Sequence, residues 1–206
     1  MNSIQRAKAR IRAIIADSGV PEDPPHAENT LEWLLRLDPE ANQALQIAAL
    51  AHDIERASED RKVRRADFDD YDAFKAAHAR NGAGILREIL KQCGVAQSIV
   101  EEACRLVGLH EVGGDPYSDL LKDADSVSFF DVNLPLYYQR EGRQEAKRRC
   151  IWGFRRLSAQ MKEVVSNIRY QDEVLTRLLR CAVRSKSDPH SDWKPLAKDS
   201  LRSSAE

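Results

Sequence analysis

Four histidines are spaced so that each falls on the apolar stripe of a separate predicted helix. They are His26, His52, His78 and His110. Residues three and four positions apart share a helix face, and each imidazole lines up in this way with apolar neighbours. Asp125 lines up in the same way with Leu121 and Phe129. The pattern predicts that five helices each direct one side chain that can bind a metal toward the core.

A bound metal ion would explain why so many polar side chains lie on the apolar, core-facing sides of these helices. A single histidine in such a position is usually a core residue with satisfied hydrogen bonds. Each buried polar group without a partner costs about 1–3 kcal/mol, so five in one core must satisfy each other. A divalent ion does this because it binds neutral imidazole nitrogen and carboxylate oxygen together. Asp53 directly follows His52, and its second oxygen is free to bridge to another ion.

The elements that position these residues are predicted to be helices. Apolar residues recur with a helical period, and no convincing alternating strand pattern is present. We expect helices over about 2–17, 25–37, 40–57, 96–110 and 116–131, one long helix or two short ones within 67–92, and two more within 136–184. The last two should be separated near Ser166–Asn167. Gly82 and Gly84 each cost about 1 kcal/mol inside a helix, so we expect them to permit close packing.

The predicted architecture is an all-α, single-domain helical bundle. We expect residues 1–21 to hold an N-terminal helix that packs on the core, 22–133 to form the metal-binding core, 134–184 to complete the bundle with C-terminal helices, and 185–206 to form a polar, flexible tail. No apolar run approaches the ~18 residues of a membrane-spanning helix, so no membrane partner is expected. The net charge of −1 argues against a global electrostatic attraction to nucleic acid.

The cysteines and the N-terminus favour a cytoplasmic protein. The four cysteines, Cys93, Cys104, Cys150 and Cys181, form no CxxC pair and lack the spacing of a zinc site. We interpret them as reduced thiols, most of them buried. The first residues lack the apolar core of a signal peptide. Basic residues within 1–16 could mimic a mitochondrial presequence, but an amphipathic first helix is the favoured interpretation.

The ordered set of candidate ligands resembles that of the HD-domain superfamily of metal-dependent phosphohydrolases. The segment around His52-Asp53, LAHDIE, is similar to the central His-Asp helix of that superfamily. HARNGAGIL, from His78, resembles its His-x3-Gly-Ala helix, and LLKDADSVSFF resembles its closing Ala-Asp helix, which selects Asp125 over Asp123. The resemblance covers about residues 22–133. A lone His-Asp pair is weak support, whereas the full ordered set is specific.

This resemblance implies a role for each candidate ligand. His26, His52, Asp53 and Asp125 would hold a first ion, and His78 and His110 would complete a second site that Asp53 bridges. The implied cofactor is one or two divalent ions, with Mn, Fe, Mg, Co, Ni and Zn not distinguished. The implied reaction is cleavage of a phosphoester by metal-activated water, on a nucleotide or another small phosphorylated molecule. Asp53 would then be a catalytic residue, and a homo-oligomer is compatible with the pattern.

Charged residues near the ligands are candidates for substrate contacts. Lys122 lies one turn before Asp125 and Arg56 one turn after His52, where both could meet a phosphate, although each could equally be a surface cation in a salt bridge. Glu55 could orient a ligand or activate water. For Glu55 and for Glu111, however, a solvated acid at a helix end is the favoured interpretation.

Two basic stretches are further candidates for contacts with an anion. Arg61, Lys62, Arg64 and Arg65 form one, in a loop that could overhang the site; Arg140, Arg143, Lys147, Arg148, Arg149, Arg155 and Arg156 form the other. The second could bind a nucleotide or RNA, but such runs are usually solvated faces, with acids nearby as partners. We therefore do not expect nucleic-acid binding. We expect the pocket walls to come from loops 58–77 and 111–119, with the C-terminal helices as further candidates.

Two other functions stay open at the level of sequence. A small branch of the HD superfamily holds two irons with the same six ligands and uses O₂ as an oxygenase, and metal choice depends on the groups around the ligands. A nucleotide-sensing module that binds without turnover is the third hypothesis. His190, in the polar tail, is not expected to contribute to the site.

Overall fold

Helices form every regular element of residues 1–185, the part of the chain that the computed structural model describes. No strand occurs among these residues, so the prediction of an all-α bundle is confirmed. The α-helices are α1 (Ser3–Ala16), α2 (Asp23–Leu37), α3 (Gln43–Ala51), α4 (Tyr71–Gln92), α5 (Gln97–Leu109), α6 (Pro116–Ser128), α7 (Leu134–Arg156), α8 (Ala159–Ser166) and α9 (Glu173–Arg184). Short 3-10 helices cover Ile54–Ala57 and Arg65–Asp67, and a π-helical turn, Phe129–Asn133, joins α6 to α7.

Polar side chains cap the starts of six of these helices: α1, α3, α4, α6, α8 and α9. Asn2 and Gln5 form a capping box at α1. Asn42, Asp70 and Asp115 accept hydrogen bonds from backbone N–H groups in the first turns of α3, α4 and α6. Each bond satisfies a donor that the helix itself cannot pair. The starts of three ligand-bearing elements are therefore set by local sequence.

The buried apolar residues form two clusters that meet at α2. One cluster lies among α1 to α6, and the other lies among the end of α6, the π-helical turn and α7 to α9. Trp33 and Leu37 of α2 pack against both clusters. The indole Nε1 of Trp33 also donates a 2.9 Å hydrogen bond to Oδ2 of Asp131 in the π-helical turn. These contacts join the two clusters into one bundle.

Two helix boundaries differ from the sequence prediction. The helix expected over 40–57 ends at Ala51, and a 3-10 helix follows His52 and Asp53. The segment 136–184 is interrupted at more places than the one predicted near Ser166–Asn167. Gly142 (φ 78°, ψ 177°) leaves the helical conformation and kinks α7. Leu157 is extended (φ −64°, ψ 142°) and Ser158 caps α8, and no glycine or proline marks this second break. Asp123 accepts a 2.8 Å hydrogen bond from the backbone N–H of Ser158 and so helps to hold it.

The expectation that Gly82 and Gly84 serve close packing is wrong. A Cβ added at Gly82 would lie 3.6 Å from the carbonyl oxygen of His52, which is ordinary van der Waals contact. A Cβ at Gly84 would meet nothing within 4 Å. Both glycines lie within α4, which is one continuous helix. Neither position therefore requires glycine on steric grounds.

Most of the predicted tail, including His190, lies outside the described residues, which end at Ser185. Within residues 1–185, none of the helices combines the length and the apolar character needed to cross a bilayer.

Candidate metal centre

Three of the predicted ligands meet in a first group, at the junction of α2, α3 and α6. Nε2 of His26 lies 3.1 Å from Nε2 of His52 and 3.1 Å from Oδ1 of Asp125. Nε2 of His52 lies 3.5 Å from the same oxygen. All three residues are buried, and their ligand atoms lie within 4.8 Å of one another. This group could hold a metal ion.

The other three predicted ligands form a second group beside the first. Asp53, His78 and His110 also place one ligand atom each within 4.8 Å of one another. Oδ1 of Asp53 lies 2.9 Å from Nε2 of His78. Oδ2 of Asp53 lies 3.7 Å from Nε2 of His52 and 3.9 Å from Nε2 of His26. The two oxygens of one carboxylate therefore face the two groups, as a bridging ligand requires.

Two of the four imidazoles are oriented by the helix that carries them. His52 and His110 are the C-terminal capping residues of α3 and α5. Nδ1 of His52 donates a 2.9 Å hydrogen bond to the carbonyl of Ala49, and Nδ1 of His110 donates a 2.7 Å bond to that of Val107. A neutral imidazole with its proton on Nδ1 has its lone pair on Nε2. Both Nε2 atoms are therefore directed into the centre, where each offers a lone pair when the ring is neutral.

The other two imidazoles are oriented by side chains from distant positions in the sequence. Nδ1 of His26 donates a 2.8 Å hydrogen bond to Oγ of Ser128, which itself donates to the carbonyl of His26 at 3.3 Å. Nδ1 of His78 donates a 2.7 Å hydrogen bond to Oε2 of Glu55. Partners of this kind fix the tautomer and orientation of metal-binding histidines and raise their basicity. All four imidazoles thus direct Nε2 inward.

The inward nitrogens fit a bound cation. Nε2 of His110 is buried and makes no hydrogen bond, although Oε1 of Glu111 lies 3.2 Å away. Two inward Nε2 atoms 3.1 Å apart, on His26 and His52, require a proton or a cation near them. Burial lowers the pKa of His26. Burial would also lower that of His52, but Asp53 and Asp125 raise it to about 9, so His52 carries the proton in the ion-free protein.

Arg56 pairs with the carboxylate of Asp53, which faces both groups. Its Nη1 lies 3.0 Å from Oδ2 of Asp53, and its Nη2 lies 2.9 Å from Oδ1 of the buried Asp23. Burial alone would raise the pKa of Asp53. The Arg56 guanidinium and the imidazoles of His52 and His78 outweigh burial and hold that pKa well below its ordinary value. Asp53 is therefore ionised, as a metal ligand must be.

Asp125 is kept ionised by a different cation. Burial would raise its pKa, but hydrogen bonds with His26 and His52 and the charge of Arg156 hold it well below its ordinary value. Nη2 of Arg156 lies 3.5 Å from Oδ2 of Asp125 and donates a 3.2 Å hydrogen bond to the carbonyl of His110. Arg156 thus contacts both ligand groups from the C-terminal half of the chain.

The interpretation of Glu55 and Glu111 as solvated acids is wrong. Glu55 is only 2% exposed and is bonded to His78. The side chain of Glu111 is 5% exposed and is paired with Lys75, and its Oε2 lies 3.0 Å from Nη2 of Arg156. Burial would raise the pKa of Glu111, but Lys75 and Arg156 hold it well below its ordinary value. Glu55 orients the imidazole of His78, and Glu111 lies beside the inward nitrogen of His110.

The sequence analysis missed two residues that contact the site and whose spacing from a candidate ligand could have revealed them. Lys75 lies three positions before His78 on α4, and Ser128 lies three positions after Asp125 at the end of α6. Each therefore shares a helix face with a ligand. Arg156 appeared only as one member of a basic run, and nothing in its spacing indicates a contact with Asp125.

Lys122 does not take the position expected of a phosphate ligand. Its Nζ lies 2.8 Å from Oδ1 of Asp119 and 3.4 Å from the carbonyl of Val112. It shares a helix face with both Asp119 and Asp125, and its side chain turns toward the more exposed acid. Lys122 is thus a surface cation in a salt bridge, while Arg56 meets the centre directly.

A cleft of about 650 Å³ opens beside the second ligand group. His78, Glu55 and Arg56 lie in its wall, together with residues of the 62–75 segment and of α7. The cations lining it are Arg56, Lys62, Arg65, Lys75, Arg140, Arg148 and Arg149. Loop 58–77 therefore lines the cleft as expected, but loop 111–119 does not. A larger cleft of about 880 Å³ lies between α7 and α9, and none of the six ligands lines it.

Comparison with known proteins places the chain in one family. The family model described as "Domain of unknown function (DUF4202)" matches residues 5–178. The chain belongs to the DUF4202 family. The DUF4202 match spans all six candidate ligands as well as Glu55 and Glu111, and its description names no activity. No curated protein and no solved structure matches the chain.

Proposed function

We propose that this protein is a metal-dependent hydrolase that cleaves a phosphoester of a nucleotide or another small phosphorylated molecule. One observation carries the proposal: four inward imidazoles and two ionised aspartates converge in two adjoining groups beside a cation-rich cleft. The resemblance of the ordered ligands to the HD-domain superfamily supports the same chemistry. It would make this DUF4202 protein a distant member of that superfamily.

The residues of the centre are suited to bind two divalent ions. Asp53 would bridge the ions, since its two oxygens face the two ligand groups. Bound divalent ions supply Lewis acidity and lower the pKa of coordinated water toward neutrality. Arg56 and Arg156 keep Asp53 and Asp125 ionised. Glu55 and Ser128 hold His78 and His26 with Nε2 inward.

The cleft beside the second group supports an anionic substrate. Arg56 lies in its wall and also contacts Asp53, so a phosphate in the cleft would lie near the bridging carboxylate. Guanidinium groups bind phosphate oxygens with paired, charge-assisted hydrogen bonds. Arg56 would orient the phosphate while Glu55, fully engaged by His78 and by the backbone of Val63, serves as a positioning residue.

Phosphate release from a substrate panel tests the proposal. The protein is stripped with EDTA, reloaded separately with Mn²⁺, Co²⁺, Ni²⁺, Mg²⁺, Zn²⁺ or Fe²⁺, and incubated with nucleoside mono-, di- and triphosphates and sugar phosphates. We expect turnover with at least one metal, and at least 100-fold less in Asp53→Asn. Asp119→Asn, which changes an exposed carboxylate on α6, is the matched control and should keep full activity.

Two outcomes would replace the proposal with one of its rivals. O₂ consumption together with a mixed-valent diiron EPR signal, without phosphate release, would identify an oxygenase with the same six ligands. Tight nucleotide binding without turnover for any metal would identify a sensing module. Absence of both turnover and binding across the panel would contradict hydrolysis and sensing alike.

A further inference from the structure

The cations of the 650 Å³ cleft differ in whether a carboxylate neutralises them. Five of the seven have a carboxylate partner. The pairs are Arg56 with Asp53 and Asp23, Lys62 with Glu59, Lys75 with Glu111, Arg140 with Glu22 and Glu141, and Arg148 with Glu145. Arg65 and Arg149 have no carboxylate partner within residues 1–185. The cleft therefore contains two guanidinium groups that form no ion pair with a carboxylate, although Glu111 and Asp125 lie near enough to Arg149 to raise its pKa.

The two arginines without an ion-pair partner meet at one tyrosine. The guanidinium carbon of Arg65 lies 5.9 Å from the centre of the Tyr71 ring. Nη1 of Arg149 lies 3.4 Å from the hydroxyl oxygen of Tyr71. Both acids of α7 that line the cleft are already engaged, Glu141 by Arg140 and Glu145 by Arg148. Arg65, Tyr71 and Arg149 thus form a cationic group, which we call the Tyr71 subsite.

The Tyr71 subsite is held in place before any ligand arrives. The guanidinium of Arg149 stacks 4.2 Å from the centre of the Trp152 ring and 5.2 Å from that of Phe129. Arg65 donates from Nη1 to the carbonyl of Phe68, while its Nε is buried without a hydrogen-bond partner. A positioned guanidinium loses little conformational entropy when it binds an anion. The subsite has the form of a binding site for a planar or tetrahedral anionic group.

The spacing along α4 relates this subsite to the metal centre. Tyr71 lies seven residues before His78, so both side chains lie on the same face of the helix. A rise of 1.5 Å per residue separates them by about 10 Å along the axis. Both line the same cleft. A small molecule with one anionic group at the centre would therefore reach the subsite with a group about 10 Å away.

We propose that Arg65 and Arg149 bind a second anionic group of the substrate, so that the substrate carries two anionic groups about 10 Å apart. The statement that one of these groups is cleaved rests on the proposed function. The existence of the anion site is independent of that function, because the site consists of side chains outside the six ligands. The second group is a phosphate or a carboxylate, and both have the oxygen geometry that a guanidinium binds.

The experiment uses the metal-free protein, kept in excess EDTA. Binding of inorganic pyrophosphate and of malonate is measured by calorimetry for the wild type and for Arg65→Gln, Arg149→Gln and Arg149→Lys. We expect at least one probe to bind, and each Gln variant to weaken its binding at least tenfold, with a smaller loss in Arg149→Lys. The tighter probe tells whether the second group is a phosphate or a carboxylate. Circular dichroism checks that each variant is folded. If Arg149→Gln does not fold, the result for Arg65→Gln, which changes a loop residue, decides the test.

Arg180→Gln is the matched control, since Arg180 is exposed on α9 and lines the larger cleft instead. Binding that is lost in Arg180→Gln and retained in both Arg65→Gln and Arg149→Gln would overturn the proposal and assign the anion to the α7–α9 cleft. Absence of binding for both probes in the wild type would overturn it as well. Because no metal is present, failure of hydrolysis in the substrate panel would leave this result unaffected.

Discussion

Oε2 of Glu55 accepts a 2.7 Å hydrogen bond from Nδ1 of His78, while Nε2 of the same ring lies 2.9 Å from Oδ1 of Asp53. The imidazole of His78 thus links two carboxylates. One is the buried Glu55, which is not among the six candidate ligands, and the other is Asp53, which faces both ligand groups. Glu55 also accepts a hydrogen bond from the backbone of Val63, in the loop that lines the cleft. Glu55 therefore couples the position of that loop to the orientation of a ligand.

Replacing Glu55 should weaken one ion more than the other. Partners of metal-binding imidazoles contribute about 10–100-fold to metal affinity, so Glu55→Ala should lower the affinity for the ion at His78 by that factor. Glu55→Gln retains an acceptor oxygen and should recover most of the loss. Calorimetric titration of the EDTA-stripped protein measures both sites. Glu88→Ala, which removes an exposed acid paired with Arg61, is the control; equal affinities in Glu55→Ala and Glu88→Ala would contradict the assigned role.

The number of bound ions should depend on which ligand is removed. We expect His26→Ala to lose the first ion and His110→Ala to lose the second. Asp53→Ala should lose both, because its oxygens face both groups. Elemental analysis of purified, metal-saturated protein gives the count. Two ions per chain in Asp53→Ala would show that this carboxylate does not bridge.

Loss of Arg56 should destabilise the fold even without metal. Arg56→Ala leaves Asp53 and the buried Asp23 without their cation. A fully buried pair broken in this way costs about 3–5 kcal/mol; the Arg56 side chain is 30% exposed, so we expect about 2–3 kcal/mol. Urea unfolding in EDTA measures the free energy. Arg177→Ala, at a 68% exposed cation, should change it by less than about 0.5 kcal/mol.

Ion binding should release protons near neutral pH. The pKa of His52 is raised from 6.5 to about 9, because Asp53 and Asp125 outweigh burial. A raised pKa means that the folded, ion-free protein holds this proton. The resulting stabilisation is complete below pH 6.5 and is lost as the pH rises through about 9. An ion must displace the proton, so its affinity should increase between pH 7 and 9. Calorimetry in buffers of different ionisation enthalpy counts the protons; affinity independent of pH over this range would contradict the assignment.

Gly84→Ala should stabilise the protein. A Cβ at this position of α4 meets nothing within 4 Å, and alanine gains about 1 kcal/mol over glycine inside a helix. For a chain of this size the melting temperature should rise by about 2–4 °C. Thermal unfolding followed by circular dichroism measures the shift. A decrease would mean that the backbone of α4 needs the freedom of glycine at this point.

The sequence predicts which side chains meet in the two groups, because most of them continue the apolar face of a helix or follow directly at its end. His78 and Asp125, for example, lie three or four residues from apolar neighbours, and this spacing of apolar residues is typical of a helix with one buried face. The predicted boundaries fail where no residue type marks them, as at Leu157, where the chain turns without glycine or proline. The sequence also predicts that Glu111 is exposed to solvent, since it lies at a helix end. Its side chain is only 5% exposed instead, and its partners Lys75 and Arg156 are too remote in the sequence to be recognised from spacing.

The ends of α3 and α5 that carry His52 and His110 have an electrostatic consequence. Each helix has a macrodipole whose negative pole is at its C-terminus, equivalent to about half an elementary charge. Both negative poles lie at the centre, since His52 and His110 are the capping residues. This field attracts positive charge, and its attraction doubles from a singly to a doubly charged ion. The backbone itself therefore adds to the attraction of a cation at this centre, independently of any side chain.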